Sequence, residues 1–249
     1  MHDEMNPGVD TARDEGDVLM ASPALSRRII HRLQRGEHID PFLAAEFRFL
    51  ERHRSAWEGF FRFLGYFLCR GDMGGESFFY LKPDSGMVRS ERLSRGATFM
   101  GIYLSWHFLT QGVDGLDSVP AAELAGLMLG QFDFNMLAPV FVPRTGRGRQ
   151  RAETEQNRDK VLAAMKTALN ELVRYRFVEL RPSVRADWSE LRIWRLPALQ
   201  RFLEISRAVL VQQGASGGNP ETVLRSLWAG FEADSEPDED TDEAMEDDA

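Results

Sequence analysis

The residues best suited to chemistry in this chain are cations. Arg147, Arg149, Arg151, Arg158, Lys160, Lys166 and Arg174 gather in a loop and the helix pattern after it, and Arg181 and Arg185 follow in the next turn-rich stretch. Guanidinium and ammonium groups at that density neutralise phosphates and release condensed counterions, which makes sequence-nonspecific DNA binding the chemistry they suit. A solvated cationic face is the plainer alternative, and the chain's bias of 27 Arg to 3 Lys fits it. No Asn or Gln cluster accompanies the arginines on the exposed helix face, so readout of base edges is not expected.

Covalent chemistry finds less support. No Gly-x-x-x-x-Gly-Lys loop followed by Ser or Thr is present, which argues against nucleotide hydrolysis. Gly214-Ala215-Ser216-Gly217-Gly218 matches the nucleophile-elbow string, but that motif needs a strand before the serine and a helix after it. Here a helix end precedes it and Asn219-Pro220 follow, so it reads as a linker. His31, His38, His53 and His107 share no paired spacing on one helix face and have no cysteine cluster nearby, so no metal site is expected. His38 is expected to help hold its own turn. With no grouping of nucleophile, base and orienting residue, the expectation is a non-enzymatic protein without catalytic residues, metal or cofactor.

The cations depend on a helix followed by a hairpin. From Asn157 onward, Val161, Leu162, Met165, Leu169, Leu172 and the stem of Arg176 share one helical sector, while Lys160, Thr167, Asn170 and Arg174 lie roughly opposite. Phe177 to Leu180 and Glu190 to Leu196 then alternate at period two around a basic tip. That order is the recognition half of a winged helix, and period and spacing fit DNA contact and protein contact equally well.

The first half runs in the same order. Pro23 can open a helix capped by Ser22 and ending at Gly36, and Asp40 can cap a second that Pro41 opens, with a break expected at Gly59. Tyr66 to Arg70 and Ser77 to Lys82 read as strands around a glycine-rich turn. In the second half, Thr98 to Gln111, Ser118 to Gly130 and Glu153 to Arg176 read as helices, and Pro197 to Gln213 as a further one. The expected fold is mainly α with small antiparallel β-hairpins, arranged as tandem winged-helix domains at residues 22–96 and 97–213. A basic loop is expected at 144–156, with a linker and short helix at 214–231.

Composition supports that frame. At 249 residues and 43% hydrophobic content, the chain is long enough to bury a sizeable core. Its net charge of −9 is unevenly distributed. Residues 232–249 hold eleven acids and no base, and residues 1–20 hold six acids and one arginine, which leaves +7 for residues 21–231. Both ends, 1–21 and 232–249, are therefore expected to be disordered and acidic around a basic body. A single cysteine, Cys69, excludes an intrachain disulfide framework, and no signal-like leader is evident, so a cytoplasmic address is expected. The longest apolar-rich stretch, Thr98 to Leu109, is too short for the roughly 20 residues a membrane span needs.

Three segments carry a resemblance to a known family. Gln34-Arg35-Gly36-Glu37-His38-Ile39, Phe78-Phe79-Tyr80-Leu81-Lys82-Pro83, and the helix from Asn157 through Arg174 resemble MukE, the small subunit of the MukBEF bacterial condensin, and the acidic tail is similar too. The resemblance runs from Ile29 to Phe202. It implies a homodimer of tandem winged-helix chains that binds a MukF-like kleisin and, through it, a MukB-like SMC ATPase. It also implies a nucleoid-associated role in chromosome condensation and segregation. A longer leader, the Arg144 to Gln156 loop and the composition of Gln131 to Pro143 depart from closer members. They keep open the divergent MksE branch, including its plasmid-restricting Wadjet counterpart. The apolar residues Phe132, Phe134, Met136, Leu137 and Phe141 are candidates for receiving a kleisin segment, with internal packing as the alternative. A winged-helix transcription regulator is the rival class.

Overall fold

The computed structural model describes residues 18–73, 75–84, 93–111, 117–142, 155–182, 186–212 and 224. Arg147, Arg149, Arg151 and Arg185, the Gly214–Gly218 string, residues 1–17 of the leader and the tail 232–249 lie outside them.

The chain is mainly helical with two small antiparallel sheets. Helices α1 (Pro23–Gln34), α2 (Ala44–Arg52) and α3 (Arg54–Phe63) precede a hairpin of β1 (Tyr66–Met73) and β2 (Glu76–Pro83). Then follow α4 (Arg95–Gln111), β3 (Ser118–Pro120), α5 (Ala121–Gln131), α6 (Phe134–Phe141) and α7 (Glu155–Arg174). Strands β4 (Val178–Arg181) and β5 (Arg192–Arg195), a 3-10 turn at Pro197–Gln200 and α8 (Arg201–Gln212) complete the order. The second sheet runs β3-β5-β4.

Two cores form. Ile29, Leu33, Ile39, Phe47, Leu50, Trp57, Phe61, Leu68 and Phe79 make the first. The second is larger and gathers apolar residues of α4 to α8 and the three-stranded sheet. Strand alternation explains how they meet, because neighbours on a strand point to opposite faces. Phe79 enters the first core and Phe78 the second, so β2 lies between them.

Several local expectations change. Residues 18–21, expected to belong to a disordered leader, are helical: Leu19 packs on the first core, and its carbonyl accepts Ser26 Oγ–H at 2.8 Å. The apolar run Val18-Leu19-Met20 accounts for this. Pro23 does open α1, but the Ser22 side chain makes no capping bond. The break in the second helix falls at His53 (φ −117°, ψ 37°), not Gly59. Burial of Trp57 and Phe61 on α3 outweighs the roughly 1 kcal/mol helix penalty of Gly59. Asp40 holds a turn instead of a helix end, its Oδ1 accepting Phe42 N–H at 3.0 Å while α2 starts only at Ala44. Ser118–Pro120, expected to be helical, pairs as an edge strand with β5, and α5 begins after Pro120. The apolar stretch after Gln131 forms α6, whose Asp133 side chain accepts Asn135 N–H at 3.0 Å. Pro139 inside it disguised the helix. Leu224, within the stretch read as linker and short helix, is helical and fully buried in the second core.

Candidate functional site

The two motifs at Gln34–Ile39 and Phe78–Pro83 meet in space. Ile39 and Phe79 exchange backbone hydrogen bonds of 3.0 and 2.7 Å, so the turn after α1 adds a bridge to β2. Gly36 makes the turn possible: its φ is +75°, and a Cβ there would stand 2.9 Å from the ring of Tyr175. The turn thus packs directly on the end of α7.

His38 then reaches across to the second unit. Its backbone N–H donates to Tyr175 O at 3.2 Å, and its Nδ1 lies 2.6 Å from the same carbonyl. Its Nε2 lies 2.8 Å from Arg201 Nη1. A carbonyl only accepts and a guanidinium only donates, so these partners select the neutral Nδ1–H tautomer. Burial first, with Arg201 and then Arg176 nearby, pushes the imidazole down to about 3 against 6.5 for an ordinary histidine, although the bond to Tyr175 acts in the opposite direction. His38 therefore ties the turn after α1 to the residue following α7 and to the start of α8, beyond holding its own turn.

Asp40 makes the second link. Its carboxylate is fully buried and receives Arg176 Nη2 at 3.0 and 3.1 Å. Arg176 takes φ +59°, a conformation that swings it out of the α7 register. The expected placement of its stem in the helix's apolar sector is thereby corrected. Glu76 makes a third link, accepting Arg195 at 3.1 and 3.3 Å and Gln200 Nε2 at 3.2 Å.

The first of these links, His38 with Tyr175 and Arg201, borders a cleft of about 770 Å³. Arg35, Lys82 and Arg201 supply charge, Tyr66, Tyr80, Tyr175, Phe177 and Phe202 supply rings, and among the described residues no acidic one lines it. Arg201 lies over the Tyr80 ring at 4.0 Å, and burial lowers its pKa. Within ion-pair distance it has no carboxylate partner among the described residues. The surface suits an extended ligand carrying anionic and apolar groups.

Of the nine expected DNA contacts, five lie among the described residues, and these are placed differently. Arg158, Lys160 and Arg174 are exposed on α7, with Arg174 over the Tyr175 ring at 5.2 Å. Lys166 donates to Ala186 O at 3.0 Å and so holds the loop between β4 and β5. Arg181 binds Glu179 at 3.0 and 3.2 Å and covers Trp194 at 4.8 Å. Those two cations are engaged within the fold. Acids also temper α7: Asp159 is beside Lys160, and Glu171 caps α4 through Ser94 N–H and Oγ–H at 2.8 and 2.6 Å.

Phe132, Phe134, Met136, Leu137 and Phe141 are all buried in the second core. Phe99 packs edge-on against both Phe132 and Phe141. Burying side chains of this size is worth about 1.5–3 kcal/mol each, which draws them inward. Of the two readings open for these residues, internal packing is the one their burial supports. Reasoning from the sequence missed Arg201, Tyr80 and Tyr175 as site residues. Only the Gln34–Ile39 and Phe78–Pro83 motifs pointed toward the place.

A mainly helical chain with two hairpin-bearing cores, and its two distinctive motifs converging on a cationic aromatic cleft, defines the class. A sequence profile described as condensin complex protein MksE matches residues 24–207, and the chain belongs to that family. The match spans both motifs, α7 and the first residues of α8. No curated protein matches the chain. Among the described residues, no helix is long and apolar enough to cross a membrane.

Proposed function

We propose that the chain is a non-enzymatic accessory subunit of an SMC-kleisin condensin, built from two winged-helix units at 22–96 and 97–213. It seats an extended segment of a MukF-like kleisin in the cleft between the cores. A MukB-like ATPase is then reached through the kleisin, and the assembly, a homodimer at its centre, holds DNA without sequence preference in the cytoplasmic nucleoid. The observation that carries the reading is the cleft itself. The two motifs that resemble MukE build one wall, and its rings and cations suit an acidic, partly apolar strand.

The test is co-purification with a cognate MukF-like kleisin, followed by mass measurement by light scattering. Wild-type chain is expected to form a stable complex with a dimeric centre, and Arg35→Glu with Lys82→Glu is expected to weaken it at least tenfold. A chain that remains monomeric and never shifts with kleisin would refute the assignment. For DNA, Arg158, Lys160 and Arg174 join Arg147, Arg149, Arg151 and Arg185 as the contacts, whereas Lys166 and Arg181 serve the wing. Glu substitution of Arg149, Arg151, Lys160 and Arg174 is expected to weaken binding alike on unrelated sequences and to flatten its salt dependence. Loss on one sequence alone would favour a transcription regulator.

A further inference from the structure

We propose that the chain's own acidic C-terminal segment, residues 232–249, occupies the cleft between the two cores. Among the described residues the cleft wall holds three cations and no acid, and the most buried of the three, Arg201, contacts the neutral His38 imidazole and the Tyr80 ring, while Glu204 acts on its charge from beyond ion-pair distance. A charge withdrawn from water without an ionic partner is unfavourable, and a carboxylate reaching it gains a charge-assisted hydrogen bond. Residues 232–249 carry eleven acids and no base. Complementarity is therefore one-sided in both partners.

Reach allows the contact. Leu224 is buried in the same core as Phe202, which lines the cleft. The eight residues from Leu224 to Glu232 extend up to about 26 Å, and the tail continues well beyond that. Tethering keeps the effective concentration of the segment in the millimolar range, so weak individual contacts suffice. The alternative seat is the exposed face of α7 around Lys160. A kleisin strand entering the same cleft must displace the segment. That consequence rests on the function proposed above, but the occupancy does not.

The chain's three lysines make the test direct. A water-soluble carbodiimide joins a carboxyl carbon to a lysine Nζ as an amide, and the available amines of side chains are Lys82 at the cleft, Lys160 on α7 and Lys166 under the wing. Trypsin then releases the whole acidic segment in one peptide beginning at Ser226, because no Lys or Arg follows Arg225. On the full chain at low salt, the expected product links Lys82 to that peptide within one chain, as read from an isotope-mixed sample. Its yield should fall on the order of fivefold at 0.3 M salt, where screening shortens the Debye length to well below 10 Å. Arg35→Glu, an exposed change, should lower it about threefold without unfolding the chain. Crosslinks chiefly at Lys160 or Lys166, chiefly between two chains, or absent would overturn the proposal, as would a Lys82 yield indifferent to Arg35→Glu. Kleisin is not needed for any of these readings, so this proposal and the kleisin assignment fail separately.

Discussion

Acidification is expected to loosen the junction between the cores through His38. The side chain is 2% exposed, donates through Nδ1–H to Tyr175 O at 2.6 Å and accepts from Arg201 at 2.8 Å. Protonation would aim a second N–H at a guanidinium that can only donate. The folded group is pushed down to about 3 from 6.5, so between those values the unfolded chain binds a proton that the fold refuses. Stability thus rises with pH across that window, by about 1.4 kcal/mol per pH unit for one such group. It is complete above 6.5 and falls by about 2 kcal/mol between pH 6.5 and 5.0 from this histidine alone. His107 is half-buried, and burial lowers its pKa also, which adds a slope of the same sign. His38→Gln isolates the first contribution, since glutamine does not titrate. Urea unfolding followed by tryptophan fluorescence should find the variant less stable by about 2 kcal/mol at pH 7.5. That gap should close almost completely by pH 5.0, with the denaturant slope unchanged. A gap that stays constant across this range would refute the reasoning.

Other expectations rest on separate contacts. Asp40→Ala removes the buried acceptor of Arg176 and of Phe42 N–H and should cost about 3 kcal/mol in chemical denaturation, with Asp40→Asn recovering part of it. Gly101→Ala should destabilise by about 1–3 kcal/mol, because its Cβ would collide with the Phe202 ring. Helix propensity alone predicts the opposite sign by about 1 kcal/mol, so the direction of the change in denaturation midpoint decides. Leu224→Ala should cost about 2–5 kcal/mol if this residue fills the second core as its complete burial requires, measured as a fall in Tm or urea midpoint.

Elements governed by local periodicity were legible in the sequence. The apolar sector of α7 holds, with Val161, Met165, Leu169 and Leu172 buried as its spacing implies. Both hairpins are where alternation puts them, although β1 and β2 run longer than expected. Misreadings occurred where distant contacts decide the local conformation. Ser118–Pro120 becomes a strand because β5, more than 70 residues later, offers it an edge. His53 replaces Gly59 as the break because the rings of α3 must face one core.

The site was less legible for the same physical reason. His38 and Tyr175 are separated by 137 residues, and Arg201 lies 163 residues beyond His38, so no window along the chain contains the contact. A cation's type tells that it can meet phosphate, but only its neighbours tell whether it is engaged. Lys166 and Arg181 look like Lys160 in the sequence and differ from it because Ala186 O and Glu179 lie within reach. The cleft has the converse property. His38, Asp40 and Glu76 each bind a group of the second unit, and Phe78 is inserted into its core, so the cleft walls are fixed to one another before any ligand arrives. A strand seated in this cleft as proposed would pay for its own ordering alone, since walls already fixed to one another lose little freedom when it enters.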